Sequence, residues 1–387
     1  MAFFLVYYVP RMKVLIATGK YPPQTGSQAA YSKCLYDIMP KHGINTDVLS
    51  FGDFMSKPKG IRHFLYFKEL LNRMDGVDIV YAQDPVSVGL PALFAAHIAR
   101  KRFMVRIVGD HAWEQSIERF GVSDDVDSFS KSYLKHPIGA KILKKIEKYV
   151  ADWADLIITP SVYLKGIITN WGVDASKITV VYDGFLKEDI KATTAALKKR
   201  LGLHGTVIVS AGRLVPRKGF LGLIEVFAKV KQRVPTAVLV IAGEGPDMEV
   251  LRAKVKELNL VEDVVLTGRI EQVLLFEYIK AADIFTLNTA YEGFSHLILE
   301  AMALGTPVVT TNVGGNPEII DDNTTGILVE YDAHNEMANA IISLVQDPIK
   351  AQHVARDARA KVSAWTDAHM VAETSRIVLD VAEKNKK

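Results

Sequence analysis

Twelve short runs in this 387-residue chain are apolar almost from end to end, and each is followed by a stretch with helical character. In the first half they are Met12 to Thr18, Thr46 to Ser50, Asp78 to Ala82, Phe103 to Val108, Asp155 to Thr159 and Ile178 to Tyr182. In the second half they are Thr206 to Ala211, Ala237 to Ala242, Val264 to Thr267, Asp283 to Leu287, Pro307 to Thr310 and Gly326 to Val329. A strand with one wet face alternates apolar and polar residues, so strands apolar throughout are covered on both faces, as in parallel sheets flanked by helices. The pattern predicts an α/β protein with two doubly wound, Rossmann-like domains, and the length exceeds what one core usually fills.

The turn-rich Asp183-Gly184-Phe185-Leu186-Lys187-Glu188-Asp189 and the polar helix expected from Lys191 to Leu201 place the boundary near residues 184–204. The expected division is 1–195, 196–365 and a terminal helix within 366–387. Residues 1–11 are apolar but too short to span a bilayer and lack a basic start, so they read as an extension ahead of the first strand. Hydrophobic content of 49% with 24% charged residues fits a globular protein. A net charge of +3 argues against a nucleic-acid partner, although residues 1–195 carry +5 and 196–387 carry −2. The single cysteine, Cys34, excludes an internal disulfide framework, suits a reducing, cytoplasmic compartment and reads as a small buried apolar residue.

The chemistry-bearing residues follow strand ends, where open α/β sheets bind ligands. Glu292 and Glu300 stand eight residues apart in Tyr291-Glu292-Gly293-Phe294-Ser295-His296-Leu297-Ile298-Leu299-Glu300, ahead of Ala301-Met302-Ala303-Leu304-Gly305-Thr306-Pro307. A helix starting near Ser295 would put Glu292 at its positive end and Glu300 about 12 Å along, a span that suits a sugar at one end and a ribose at the other. Arg213 and Lys218 lie in Gly212-Arg213-Leu214-Val215-Pro216-Arg217-Lys218-Gly219, after a strand and before a helix. That is a place for phosphate, with Arg offering forked hydrogen bonds and Lys a point charge. Arg217 reads as exposed.

These segments resemble family 4 of the retaining, nucleotide-sugar-dependent glycosyltransferases with the GT-B fold. The resemblance runs from about Met12 to the C-terminal helix and is strongest between Gly212 and Gly326. It implies two Rossmann-like domains facing across a cleft, with the terminal helix crossing back to the first. It also implies a hexosyltransferase that moves a sugar from a nucleoside diphosphate donor to an acceptor hydroxyl with retention, in glycan, glycolipid or cell-envelope polysaccharide synthesis. Glu292 would contact donor-sugar hydroxyls and Glu300 the ribose, while the backbone of Gly293, Phe294, Ser295 and His296 would receive hydroxyls or phosphate oxygens. Arg213 and Lys218 would offset charge on the departing diphosphate. Gly26 and Ser27, where the family often has two glycines, would let a loop approach the diphosphate. His111, in Gly109-Asp110-His111, matches a donor-sugar or catalytic position, with Asp110 and Asp84 as acceptor-side residues.

Other motifs invite weaker readings. Gly314-Gly315-Asn316-Pro317-Glu318 reads as a glycine turn into a short helix capped by Asn316, facing the donor in the family. The helix from Ile138 to Trp153 sets Ile142, Ile146 and Val150 on one side and Lys141, Lys145 and Lys148 on another, a pattern suited to peripheral membrane contact. Asp125-Val126-Asp127 has the spacing of a metal-binding Asp-x-Asp but no strand before it, so no metal and no cofactor are expected. A nucleotide-sugar epimerase and a non-catalytic nucleotide-sugar-binding protein remain alternatives. An NAD-dependent dehydrogenase fits less well, because Gly243-Glu244-Gly245 is followed by Met248 where a third glycine belongs.

Overall fold

A computed structural model of the chain describes residues 12–24, 26–132, 135–185 and 190–383. The expected extension over residues 1–11 lies outside them, as does the 186–189 part of the turn-rich segment. The chain divides into one compact unit of Met1–Asp183 with Asp367–Lys387 and a second of Gly184–Thr366.

The first unit runs β1 (Met12–Thr18), α1 (Ser27–Ile38), β2 (Ile44–Ser50), α2 (Ile61–Asn72), β3 (Ile79–Ala82), α3 (Gly89–Ile98), β4 (Arg102–Arg106), α4 (His111–Phe120), α5 (Val126–Ser132), α6 (Ile138–Trp153), β5 (Leu156–Thr159), α7 (Val162–Asn170) and β6 (Ile178–Val180). The second runs α8 (Thr194–Arg200), β7 (Thr206–Ala211), α9 (Phe220–Arg233), β8 (Ala237–Ala242), α10 (Met248–Glu257), β9 (Val264–Gly268), α11 (Gln272–Ala281), β10 (Ile284–Leu287), α12 (His296–Leu304), β11 (Val308–Thr311), α13 (Asn316–Ile319), β12 (Ile327–Val329), α14 (His334–Gln346) and α15 (Pro348–Val362). Helix α16 (Asp367–Glu383) then returns to the first unit.

Each unit carries one six-stranded parallel sheet, ordered β2-β1-β3-β4-β5-β6 in the first and β12-β11-β10-β7-β8-β9 in the second. All twelve apolar runs are strands, with ends within two residues of expectation. Their residues are buried because helices cover both faces. In the first unit Val14 and Ile16 of β1 pack with Leu35 of α1 and with Met370, Val371 and Val378 of α16. In the second, Ile208 and Leu239 pack with Leu223 and Phe227 of α9 and with Met337 and Ile341 of α14.

The polar helix starts at Thr194 rather than Lys191, because the Thr193 hydroxyl accepts the Ala196 N–H at 3.3 Å and caps it there. Among the described residues no helix is long and apolar enough to cross a membrane.

Candidate active site

In the second sheet β7 stands between β8 and β10, so the order in which strands are added reverses beside it while all of them stay parallel. Loops leaving neighbouring strands at such a switch point part and open a crevice at their carboxyl ends. The segment after β7 is Gly212 to Gly219, and the segment after β10 is Asn288 to Ser295. Both motifs singled out in the sequence therefore emerge at this crevice.

The two segments are bound to each other. The Arg217 carbonyl accepts the Ala290 N–H at 2.8 Å and the Thr289 hydroxyl at 3.2 Å, and Asn288 Nδ2 donates to the Gly219 carbonyl at 3.1 Å. Gly219 has φ 63°, and a Cβ there would lie 1.8 Å from the Asn288 carbonyl, so only glycine permits this approach. Lys218 Nζ consequently meets Glu292 Oε1 in an ion pair, both side chains retaining partial exposure. Arg213 is exposed on the same turn. Arg217, expected to be exposed, is half-buried, and its carbonyl is part of the joint.

Glu292 is fixed from the other side too. Its carbonyl accepts the Gly315 N–H at 2.9 Å, and Gly314, at φ 58°, passes so close that a Cβ would lie 1.9 Å from that carbonyl oxygen. The glycine turn therefore supports the acidic segment. Asn316 is not its cap: Gly315 holds the cap position of α13, and the buried Asn316 side chain donates to the Thr311 carbonyl at 3.0 Å.

Ser295 is the N-cap residue of α12 and makes no side-chain capping bond. The helix begins at His296, so only the four steps to Glu300 are helical, about 6 Å of rise. The expected 12 Å applied helical rise to Glu292 as well, which precedes the helix. Glu300 stays half-buried on α12.

In the first unit β1 lies between β2 and β3 at the equivalent switch point. Gly26, at φ 125°, is the N-cap of α1 and Ser27 its first residue. Asp84 follows β3, and its Oδ1 accepts the N–H groups of Val86, Ser87 and Val88 at 3.0, 2.7 and 3.2 Å. Burial pushes its carboxyl up, while those N–H groups and the neighbouring His111 pull it partly back. His111 opens α4 and is half-buried.

Asp110 departs from its expected acceptor role. It is fully buried, its Oδ1 capping α4 through the Trp113 N–H at 2.9 Å, its Oδ2 accepting from Lys144 Nζ and from Trp171 Nε1 at 3.2 Å. With no exposure and three hydrogen bonds inside the unit, this carboxylate serves the packing of α4 and α6. Helix α6 departs as well. Lys144 and Glu147 point inward, Lys144 Nζ lying 3.6 Å from the Trp171 ring centroid. Outward stand Ile138, Ile142 and Trp153, exposed by 77%, 52% and 53%. Lys148 is held by Asp152 at 3.0 Å, leaving Lys141 and Lys145 beside an apolar face. Asp125 caps α5 through the Ser128 N–H at 2.8 Å, and Asp127 accepts the Tyr163 hydroxyl at 2.8 Å, so both carboxylates of the Asp-x-Asp make local hydrogen bonds.

Two doubly wound units, each with one parallel sheet, define the class of the fold as GT-B. The family model "Glycosyltransferase Family 4" matches residues 11–185 and "Glycosyl transferases group 1" matches residues 195–361, and the chain belongs to family 4 of the glycosyltransferases. It is 30% identical over 240 residues to the GDP-mannose-dependent alpha-(1-6)-phosphatidylinositol monomannoside mannosyltransferase of Mycobacterium tuberculosis. That match covers 59% of this chain and 61% of the mannosyltransferase, so the chain spans about three fifths of that relative's length. It is 27% identical over 252 residues to the N-acetylgalactosamine-N,N'-diacetylbacillosaminyl-diphospho-undecaprenol 4-alpha-N-acetylgalactosaminyltransferase of Campylobacter jejuni, covering 65% of this chain and 67% of that protein. Among solved structures, Anabaena HepE in complex with UDP superposes with a TM-score of 0.73 at 20% identity, covering 95% of this chain and 99% of HepE. The sucrose-phosphate synthase of Thermosynechococcus elongatus gives 0.77 at 18% identity, covering 97% and 100%. At such identities these likenesses establish the fold.

Proposed function

We propose that the chain is a retaining, metal-independent hexosyltransferase that moves a sugar from a nucleoside diphosphate sugar to an acceptor hydroxyl. The observation that carries this reading is the ion pair of Lys218 with Glu292 at the switch point of the second sheet, in a chain of this family. The second unit takes the donor. Arg213 and Lys218 face the diphosphate, Glu300 the ribose hydroxyls, and Glu292 with the backbone of Gly293, Phe294, Ser295 and His296 the sugar. Gly26 and Ser27 offer a glycine-led helix start to phosphate. The first unit takes the acceptor, a glycan, a lipid-linked sugar or a small molecule, through His111 and Asp84. The protein works in the cytoplasm, and any peripheral membrane contact rests on Lys141 and Lys145.

In the reaction the bond from the anomeric carbon to the diphosphate oxygen breaks, and the acceptor oxygen bonds to that carbon on the same face. The acceptor proton passes to the departing phosphate oxygen. Arg213 and Lys218 act on charge that grows as this bond breaks, so they lower the barrier more than they strengthen ground-state binding.

The test is slow hydrolysis, without acceptor, of UDP-, GDP- and ADP-linked sugars in the presence of EDTA. One donor class should be cleaved with the α-anomer released. No cleavage of any donor, release of the β-anomer, or loss of cleavage with EDTA would each defeat the part it addresses.

A further inference from the structure

A groove of about 530 Å³ runs along the outside of the first unit, walled by Phe64 and Phe67 of α2, Leu90, Phe94 and Ile98 of α3, and Ile146 of α6. Phe64 and Ile98 are 64% exposed and Phe94 44% exposed at its lips. The apolar surface continues beyond it, since Phe94 meets Tyr149 at 6.3 Å between ring centroids and Tyr149 meets Trp153 at 6.0 Å. A connected apolar surface of this kind on a globular protein marks something it binds.

The groove has a direction. It follows α3 from its first turn to Ile98 at its last residue, about 15 Å for ten helical residues. One end is polar, lined by His63 and Ser87, and Ser87 belongs to the turn whose N–H groups bond Asp84. The other end is hydrocarbon only at Phe94 and Ile98. A polar mouth at the carboxyl ends of the strands, leading into an apolar channel, matches an amphiphile lying head first. A flat apolar face would serve a bilayer or a second protein copy equally well, whereas a narrow trough between three helices suits a single chain.

We propose that the acceptor carries a long hydrocarbon chain, and that this chain lies in the groove between α2, α3 and α6 with its polar head at the Asp84 turn. The inference rests on the glycosyl-transfer reading and narrows its acceptor to a lipid-linked hydroxyl.

The fluorescent fatty acid 11-(dansylamino)undecanoic acid is titrated into the full chain. Saturable binding with a blue-shifted emission is expected, displaced by dodecyl phosphate and farnesyl phosphate but not by inorganic phosphate. Phe94→Glu and Ile98→Glu, both at exposed positions, should weaken it at least tenfold while the melting temperature holds. No saturable binding, equal binding by both variants, or displacement by inorganic phosphate overturns the proposal. So does sedimentation with phosphatidylglycerol vesicles, or dimerisation in light scattering, by a protein that ignores the probe. Nucleotide-sugar hydrolysis on the same preparation is scored separately: its absence strikes the transfer reading, while the probe result stands or falls alone.

Discussion

Lys218 is held by three features that the sequence shows only in part. The positive φ of Gly219 turns the chain, the Arg217 carbonyl ties the turn to the segment after β10, and Glu292 takes the ammonium. The two charges were readable as a motif, but their pairing was not, since it depends on loops that meet only when β7 and β10 lie side by side. Lys218→Ala should raise the barrier for sugar transfer by ~2–5 kcal/mol, the range for removing one partner of a desolvated charge pair, and Lys218→Arg should recover part of it. Equal kcat/KM in wild type and Lys218→Ala would retire the phosphate role. Cys34 gives a second test. Burial, and then the neighbouring Asp367, push its thiol up to about 12. At pH 8 its thiolate fraction is then roughly three orders of magnitude below that of an ordinary cysteine, and disulfide-reagent labelling should slow in proportion. Fast labelling of the native protein would contradict the burial.

Helix α6 shows where periodicity misleads. Its sequence reads as an apolar side of Ile142, Ile146 and Val150 and a basic side of Lys141, Lys145 and Lys148 suited to a membrane surface, yet the buried row is Ala140, Lys144, Glu147, Val150 and Ala151. Lys144 is buried because Asp110, Glu147 and the face of Trp171 surround its ammonium, partners that sit on other elements or one turn away. No local pattern announces that. Strands were more legible: β1, β7 and β8 coincide with their apolar runs, because burial on both faces leaves an unbroken signal. Glu147 carries a pH signature. Burial, followed by the like charge of Asp110, raises its carboxyl well above the usual value of 4.5. The native state thus keeps a proton that the unfolded chain gives up, so this group's contribution makes stability fall as pH rises above the ordinary glutamate range. Glu147→Gln should flatten that slope, as read by urea unfolding at pH 5 and pH 8. An unchanged slope would mean that Glu147 is ionised in the fold.

Across the whole molecule, the last helix belongs to the unit that the first strand begins. Met370, Val371, Ile377, Val378 and Val381 of α16 are buried against the core built on β1 and α1. Burying each such side chain is worth ~1.5–3 kcal/mol, and five together approach the ~5–15 kcal/mol that stabilises an ordinary domain. Truncation after Thr366 should therefore abolish the cooperative unfolding of the first unit and leave that of Gly184–Thr366, visible by limited proteolysis as one surviving fragment. Two intact transitions in the shortened chain would show that α16 is dispensable. The placement of α16 also sets a timetable for biosynthesis. A ribosome emits the strands of the first unit first, but that unit waits for α16 until all of Gly184–Thr366 has been made. While that intervening unit is being made, the nascent chain keeps an open apolar seam where α16 will pack, which makes β1 and α1 natural clients of a chaperone.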